Sequence, residues 1–148
     1  MNISEIETTT KVPPATRKSP VVLHAGDIEA LETETFSHEQ DAHVSWKTLI
    51  SSPKTSTESL TVGIATCPPK RGSLPRHRHA QAECYHIISG KGVVVIDGEE
   101  HSVGAGSVVY IPGLAGHSVR NEHPVEELKW FYVFNANSFA DIKYVFDS

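Results

Sequence analysis

The sequence predicts an all-β protein, an antiparallel β-sandwich or barrel in one domain. Short segments of alternating apolar and polar residues recur between residues 44 and 146, and turn residues separate them. No segment carries the 3.6-residue apolar period of a long helix. About ten short strands of this kind are typical of sandwiches and barrels, whose interiors can hold a site.

Length and composition narrow the class of protein. The 148 residues are enough for one domain with a hydrophobic core, and the net charge of -5 argues against nucleic acid as a partner. No segment has the roughly 18 to 20 apolar residues of a membrane span, and the N-terminus lacks the apolar core of a signal peptide. Cys67 and Cys84 form no CxxC pair, so a disulfide scaffold is not indicated. We therefore expect a cytoplasmic protein that binds neither nucleic acid nor membranes.

The N-terminal part is the least patterned. Residues 1–19 are rich in Thr, Ser and Pro, which predicts a flexible arm ahead of a folded domain over residues 20–148. Val21–His24 is a short strand candidate that ends at Ala25-Gly26-Asp27. Residues 28–41 are acidic and predict either a helical turn or a loop.

The strands follow in chain order from there. Alternation predicts a hairpin of residues 44–50 and 60–64, which ends at Cys67 because the two prolines after it cannot continue a ladder. Asp97-Gly98 is a strong signal for a two-residue hairpin turn. The other predicted strands are 83–88, 93–96, 99–103, 107–111, 117–121, 128–135 and a last one with Ile142, Tyr144 and Phe146.

Three residues near the middle of the chain have the spacing of metal ligands. His77 and His79 are two residues apart, and Glu83 follows four residues later. In a strand, residues i and i+2 share a face and lie about 6.6 Å apart, so both imidazoles can reach one ion. Glu83 has the same parity and can return to that ion after an irregular link at residues 80–82. Nitrogen and oxygen ligands of this kind suit Zn, Fe, Mn, Ni or Cu, so we expect one divalent transition metal.

Two stretches resemble the two conserved motifs of the cupin superfamily. Residues 72–90 are similar to the first motif, although Gly72 lies one residue closer to His77 than in the family. Residues 106–121 are similar to the second motif, although Leu114 stands where the family has Gly, so a rearranged turn is expected. The matched positions are His77, His79, Glu83, Gly90, Gly106, Pro112, His117 and Asn121.

The resemblance covers about residues 43–136 and has structural and chemical implications. It implies a double-stranded β-helix, or jelly-roll barrel, with a metal held by His77, His79, Glu83 and His117. Such a set leaves one or two coordination positions open, as at catalytic metals. It also implies a small-molecule substrate and a homodimer, with Val21–His24 or the 44–50 strand at the interface.

Tyr85 has the parity of Glu83, so its side chain should point into the barrel. A phenol beside a divalent metal can have a depressed pKa and act as a general base. The spacing His-x-His-x3-Glu-x-Tyr resembles cupin-type dimethylsulfoniopropionate lyases, in which the tyrosine removes a proton next to a metal-bound carboxylate. The alternative is that Tyr85 belongs to the pocket wall or core. Trp130 and Tyr132 share a face of a late strand and are the candidate substrate pocket.

Several polar residues are expected outside the site. Cys84 and His86 have the opposite parity to Glu83, and Arg76 and Arg78 have the opposite parity to the two histidines. We therefore expect all four side chains on the outer surface. His101 lies in a hairpin strand and is also expected to be exposed.

Three functions are compatible with the sequence. The first is a metal-dependent lyase, isomerase or cyclase, in which Tyr85 and Glu83 act catalytically on a metal-bound carboxylate or dicarbonyl compound. The second is an Fe- or Cu-dependent dioxygenase, and the third is a cupin that binds a small ligand without turnover. The ligand set does not separate the first two, because metal identity and pocket shape decide between them.

Overall fold

Two antiparallel sheets face each other in the computed structural model, which describes residues 18–147. The all-β jelly-roll prediction is confirmed. The arm predicted for residues 1–19 lies almost entirely outside the described residues. The strands are β1 Glu34–Thr35, β2 Ser45–Ile50, β3 Thr61–Cys67, β4 Gly72–Arg78, β5 Glu83–Ser89, β6 Lys91–Ile96, β7 Glu99–Gly104, β8 Val108–Ile111, β9 His117–Asn121, β10 Leu128–Phe134 and β11 Val145–Phe146.

The sheet topology brings residues that are distant in the sequence together. The larger sheet has the order β1-β2-β3-β10-β5-β8, and the smaller one has the order β11-β4-β9-β6-β7. Period-two alternation turns one face of each strand toward the other sheet. On β10 this inner face carries four buried side chains, Leu128, Trp130, Tyr132 and Phe134. The core and the candidate site therefore lie between the sheets.

Helices are short in the part of the chain that the structure describes. The α-helix α1 spans Ala25–Glu29, and a 3-10 helix spans Phe139–Asp141. Neither is long and apolar enough to cross a membrane. The strand predicted at Val21–His24 is wrong. That segment pairs with no strand, and the backbone N–H of His24 donates to the Asp27 carboxylate at the start of α1.

The last predicted strand is also shorter than expected. Only Val145–Phe146 pairs, opposite His77 and Arg78 of β4. The chain before it turns instead, because the Ser138 hydroxyl accepts a hydrogen bond from the N–H of Ala140 and starts the 3-10 helix.

Two predicted turns are present in the structure. Asp97 and Gly98 both have positive φ, at 49° and 83°, as a two-residue type I′ hairpin turn requires. Leu114 has a φ of 68°, the left-handed conformation that glycine favours, and its N–H donates to the carbonyl of His79. The second motif thus keeps the conformation of its turn without the glycine, and that turn is bonded to the first motif.

The strand predicted at 44–50 begins at Ser45 and pairs along its length with β3. On its other side it pairs with β1 only at Ser45 and Trp46. The homodimer stays a prediction.

Candidate metal centre

The four predicted ligands lie at the ends of strands from both sheets. His77 and His79 lie at the end of β4, Glu83 begins β5 and His117 begins β9. The β4–β9 register places His77 directly opposite His117, after a register shift between Leu74 and His77. Strand pairing therefore joins the second motif to the first.

The three imidazoles converge in the protein interior. Their side-chain ligand atoms lie within 4.8 Å of one another, and none of the three residues is more than 2% exposed. Each Nδ1 is 2.8 to 2.9 Å from a backbone carbonyl, that of Pro75, Gln81 or Ala115. A carbonyl only accepts, so each Nδ1 carries the hydrogen and each Nε2 keeps its lone pair. These three buried histidines could hold a metal ion, because the carbonyls orient the rings for it.

Glu83 offers a fourth donor atom beside the imidazoles. Its Oε1 lies 3.4 Å from the Nε2 atoms of both His79 and His117. Among residues 18–147, neither this oxygen nor any of the three Nε2 atoms has a hydrogen-bond partner. Buried acceptors that face each other are costly unless a cation lies between them. The donor set fits a divalent transition metal.

The local environment keeps His77 neutral. Burial, reinforced by the neighbouring His117, lowers the pKa of His77 to about 3. A neutral imidazole is the form that binds a metal.

Tyr85 is 2% exposed and lies on the same inner face of β5 as Glu83. Burial, the charge of Glu83 and a side-chain hydrogen bond with Glu83 all raise the pKa of Tyr85 well above its usual value. Without a cation on Glu83, the phenol is therefore protonated at neutral pH.

A small cavity extends from Glu83 and Tyr85 toward the larger sheet. Its free volume is about 20 Å³, enough for a water molecule but not for a substrate. Trp130 and Tyr132, the candidate pocket residues, both line it. The other lining side chains are Phe36, Val44, Trp46, Ala65, Leu74, Phe139 and Tyr144.

Aromatic side chains from outside both motifs pack on the imidazoles. The ring of Tyr144 is 4.9 Å from that of His77 and 5.4 Å from that of His79, between centroids. Phe146 lies 5.4 Å from His77, and Phe36 contacts both Tyr144 and Phe146. Sequence reasoning recognised Tyr144 and Phe146 only as strand residues and overlooked Phe36 and Trp46. Their segments have no local signal that links them to the ligands.

The polar residues expected outside the site are there. Cys84, His86 and His101 are exposed, and so are Arg76 and Arg78. Both arginines form ion pairs with Asp147, which the sequence did not reveal.

Asn121 of the second motif is fully buried and has a structural role. Its amide nitrogen donates to the carbonyls of Cys67 and Glu126, and its Oδ1 accepts from the N–H of His123. The side chain thus joins the end of β9 to the end of β3 and to the loop before β10.

Comparison with known proteins gives matches in sequence. Residues 63–134 match the Cupin domain family. The chain is 35% identical over 123 residues to the dimethylsulfoniopropionate lyase DddW of Ruegeria pomeroyi, covering 83% of this chain and 79% of that protein.

Solved structures share the fold at low sequence identity. The polyketide cyclase RemF from Streptomyces resistomycificus superposes with a TM-score of 0.69 at 20% identity, covering 88% of each chain. A chain from the crystal structures of the DMSP lyases RdDddP and RnDddQII superposes with a TM-score of 0.65 at 16% identity, covering 80% of this chain and 63% of that one. These likenesses show the fold alone.

Proposed function

This chain belongs to the cupin superfamily, and we propose that it is a metal-dependent lyase for dimethylsulfoniopropionate or a closely related sulfonium carboxylate. The observation that carries the proposal is the hydrogen bond between Tyr85 and Glu83, beside three imidazoles with free Nε2 atoms. The 35% identity to the Ruegeria lyase supports the choice of substrate.

In this proposal His77, His79, His117 and Glu83 hold one divalent transition metal. When bound, the metal would draw charge from the substrate carboxylate, offset the charge of Glu83 and lower the pKa of Tyr85. The backbone carbonyls on the three Nδ1 atoms keep the imidazoles in the metal-binding tautomer.

Tyr85 is the proposed general base. Its phenolate oxygen takes a proton from the carbon next to the carboxylate, and the electron pair of that C–H bond forms a carbon–carbon double bond. The bond from the neighbouring carbon to sulfur breaks, and its electrons leave with dimethyl sulfide. Acrylate remains, and Tyr85 later returns its proton to water. The step is a balanced elimination that needs neither an oxidant nor a reductant.

The aromatic cavity wall suits a sulfonium group. Trp130, Phe139 and Tyr144 line the cavity, and aromatic faces attract a cation by about 0.5–2 kcal/mol each. They also keep water from the reacting atoms. Because the free volume is only about 20 Å³, the half-buried Phe36, Phe139 and Tyr144 must move when a substrate enters.

The test is anaerobic turnover by protein with a measured metal content. We expect dimethyl sulfide and acrylate in equal amounts from dimethylsulfoniopropionate, with no oxygen consumed. Iron or copper with oxygen uptake would indicate the dioxygenase instead. Tight binding of the substrate without products would indicate a binding cupin.

A further inference from the structure

Two buried hydrogen-bond donors in the cavity have no role in the reaction described so far. The indole Nε1 of Trp46 and the hydroxyl of Tyr132 have no hydrogen-bond partner in the described part of the chain. The two residues are 8% and 4% exposed, and both line the cavity together with Glu83 and Tyr85. A buried donor without an acceptor costs about 1–3 kcal/mol, so we expect an acceptor there when the site is occupied.

The strands hold these donors against one wall of the cavity. Trp46 lies on β2 and Tyr132 on β10, and β3 between them carries small residues at the paired positions, Ala65 and Gly63. A Cβ at Gly63 would lie 2.1 Å from the Tyr132 hydroxyl, so only glycine leaves room for that oxygen. The sheet is therefore shaped to hold a tyrosine, rather than a phenylalanine, at this place.

A neighbouring threonine does not account for the Tyr132 hydroxyl. Burial raises the pKa of Tyr132, and an interaction with Thr48 opposes this effect. However, the Thr48 hydroxyl donates its own hydrogen to Glu34, and the Tyr132 hydroxyl has no partner in hydrogen-bonding geometry. The Trp46 N–H has no such neighbour at all within residues 18–147.

We propose that Trp46 and Tyr132 form a carboxylate-oxygen subsite, in which the N–H and the O–H donate to the substrate oxygen that the metal leaves free. This inference rests on the proposed function for the identity of the substrate. A sulfonium group accepts no hydrogen bond, so the two donors select the carboxylate end of the molecule. The sulfonium end then lies toward Phe139 and Tyr144. Negative charge grows on the carboxylate as the proton leaves carbon, so both donors also stabilise the transition state.

The test measures binding rather than turnover. Propionate, which has the carboxylate but no sulfur, is titrated calorimetrically into zinc-loaded protein. We expect Tyr132→Phe and Trp46→Phe each to weaken propionate binding about 10-fold or more, because a hydrogen bond to a charged acceptor is lost. Tyr132→Phe removes one oxygen and keeps the ring, so it remains informative if Trp46→Phe folds poorly. Tyr110→Phe makes the same change at a tyrosine that is 63% exposed on β8, and it should bind like the wild type.

A second ligand separates a carboxylate subsite from a general loss of packing. Trimethylsulfonium has no oxygen, so its affinity should not change in Tyr132→Phe. Propionate affinity within twofold of wild type in both variants overturns the inference, and so does an equal loss for both ligands. If dimethylsulfoniopropionate is not cleaved but the propionate losses occur, the lyase proposal fails and the subsite stands.

Discussion

Nε2 of His79 lies 3.4 Å from Oε1 of Glu83, and neither atom has a hydrogen-bond partner in the described structure. The hydrogen of His79 is on Nδ1, where it is donated to the carbonyl of Gln81. Two lone pairs thus face each other in a buried space, and His117 has the same relationship to Glu83. This arrangement is unfavourable by itself and becomes favourable with a cation between the atoms.

The first prediction concerns metal content. Protein purified without chelator should contain about one transition-metal ion per chain, and His79→Ala or His117→Ala should lose it because each removes a ligand. Elemental analysis measures the metal, and far-UV circular dichroism should show that the strands remain. His101→Ala removes an exposed histidine from β7 and should keep the metal. A metal-free wild type that remains fully active would contradict the proposed enzyme.

Metal binding should also stabilise the fold. A ligand present at about 100 times its dissociation constant adds about 2.7 kcal/mol to the free energy of unfolding. We expect the melting temperature of chelator-treated protein to rise when the metal is restored. The His79→Ala variant should show no such rise.

The second prediction tests the base. Tyr85→Phe should keep the metal and lower kcat by about 100-fold or more, because general-base catalysis contributes factors of that size. The cavity is otherwise unchanged, since the ring of Tyr85 still packs on Trp130. Tyr110→Phe is the matched control and should turn over normally. An unchanged kcat in Tyr85→Phe would make Tyr85 a wall residue only.

The third prediction is a pH dependence of stability. His77 has a pKa of about 3 in the folded protein, whereas a histidine in an unfolded chain titrates near 6.5. Between these values the unfolded chain binds a proton that the folded one does not, so stability falls as the pH is lowered. For the metal-free protein, lowering the pH from 7 to 5 should cost about 2 kcal/mol through His77. Urea unfolding at both pH values gives the difference, and the same loss in His77→Gln would refute this assignment.

The fourth prediction concerns Asn121. Asn121→Asp replaces an amide that donates to two carbonyls with an oxygen that repels them, at a position that is 0% exposed. The free energy of unfolding should fall by about 3 kcal/mol in urea titrations, while the metal content stays at the wild-type level. Asn135→Asp makes the same change at an exposed position just after β10, and it should alter stability by less than about 0.5 kcal/mol.

Much of the fold was predictable because its signals are local. Period-two alternation identified most strands, and Asp97-Gly98 identified its hairpin, since a strand's parity and a turn's φ values depend on neighbouring residues. The strand expected at Val21–His24 failed for a related reason. Apolar residues alone do not make a strand when no partner offers a ladder, and Asp27 favours a helix start.

The sequence by itself determined that His77, His79 and Glu83 share one face and carry metal-binding atoms, because their spacing is short and lies on one extended stretch. Only the tertiary structure decided what surrounds them. The β4–β9 register aligns His77 with His117, and packing between the sheets brings Tyr144 onto the imidazoles. The same packing leaves Trp46 and Tyr132 as donors without acceptors. Contacts of this kind depend on how distant segments pair and pack, and no local pattern in the chain encodes that pairing.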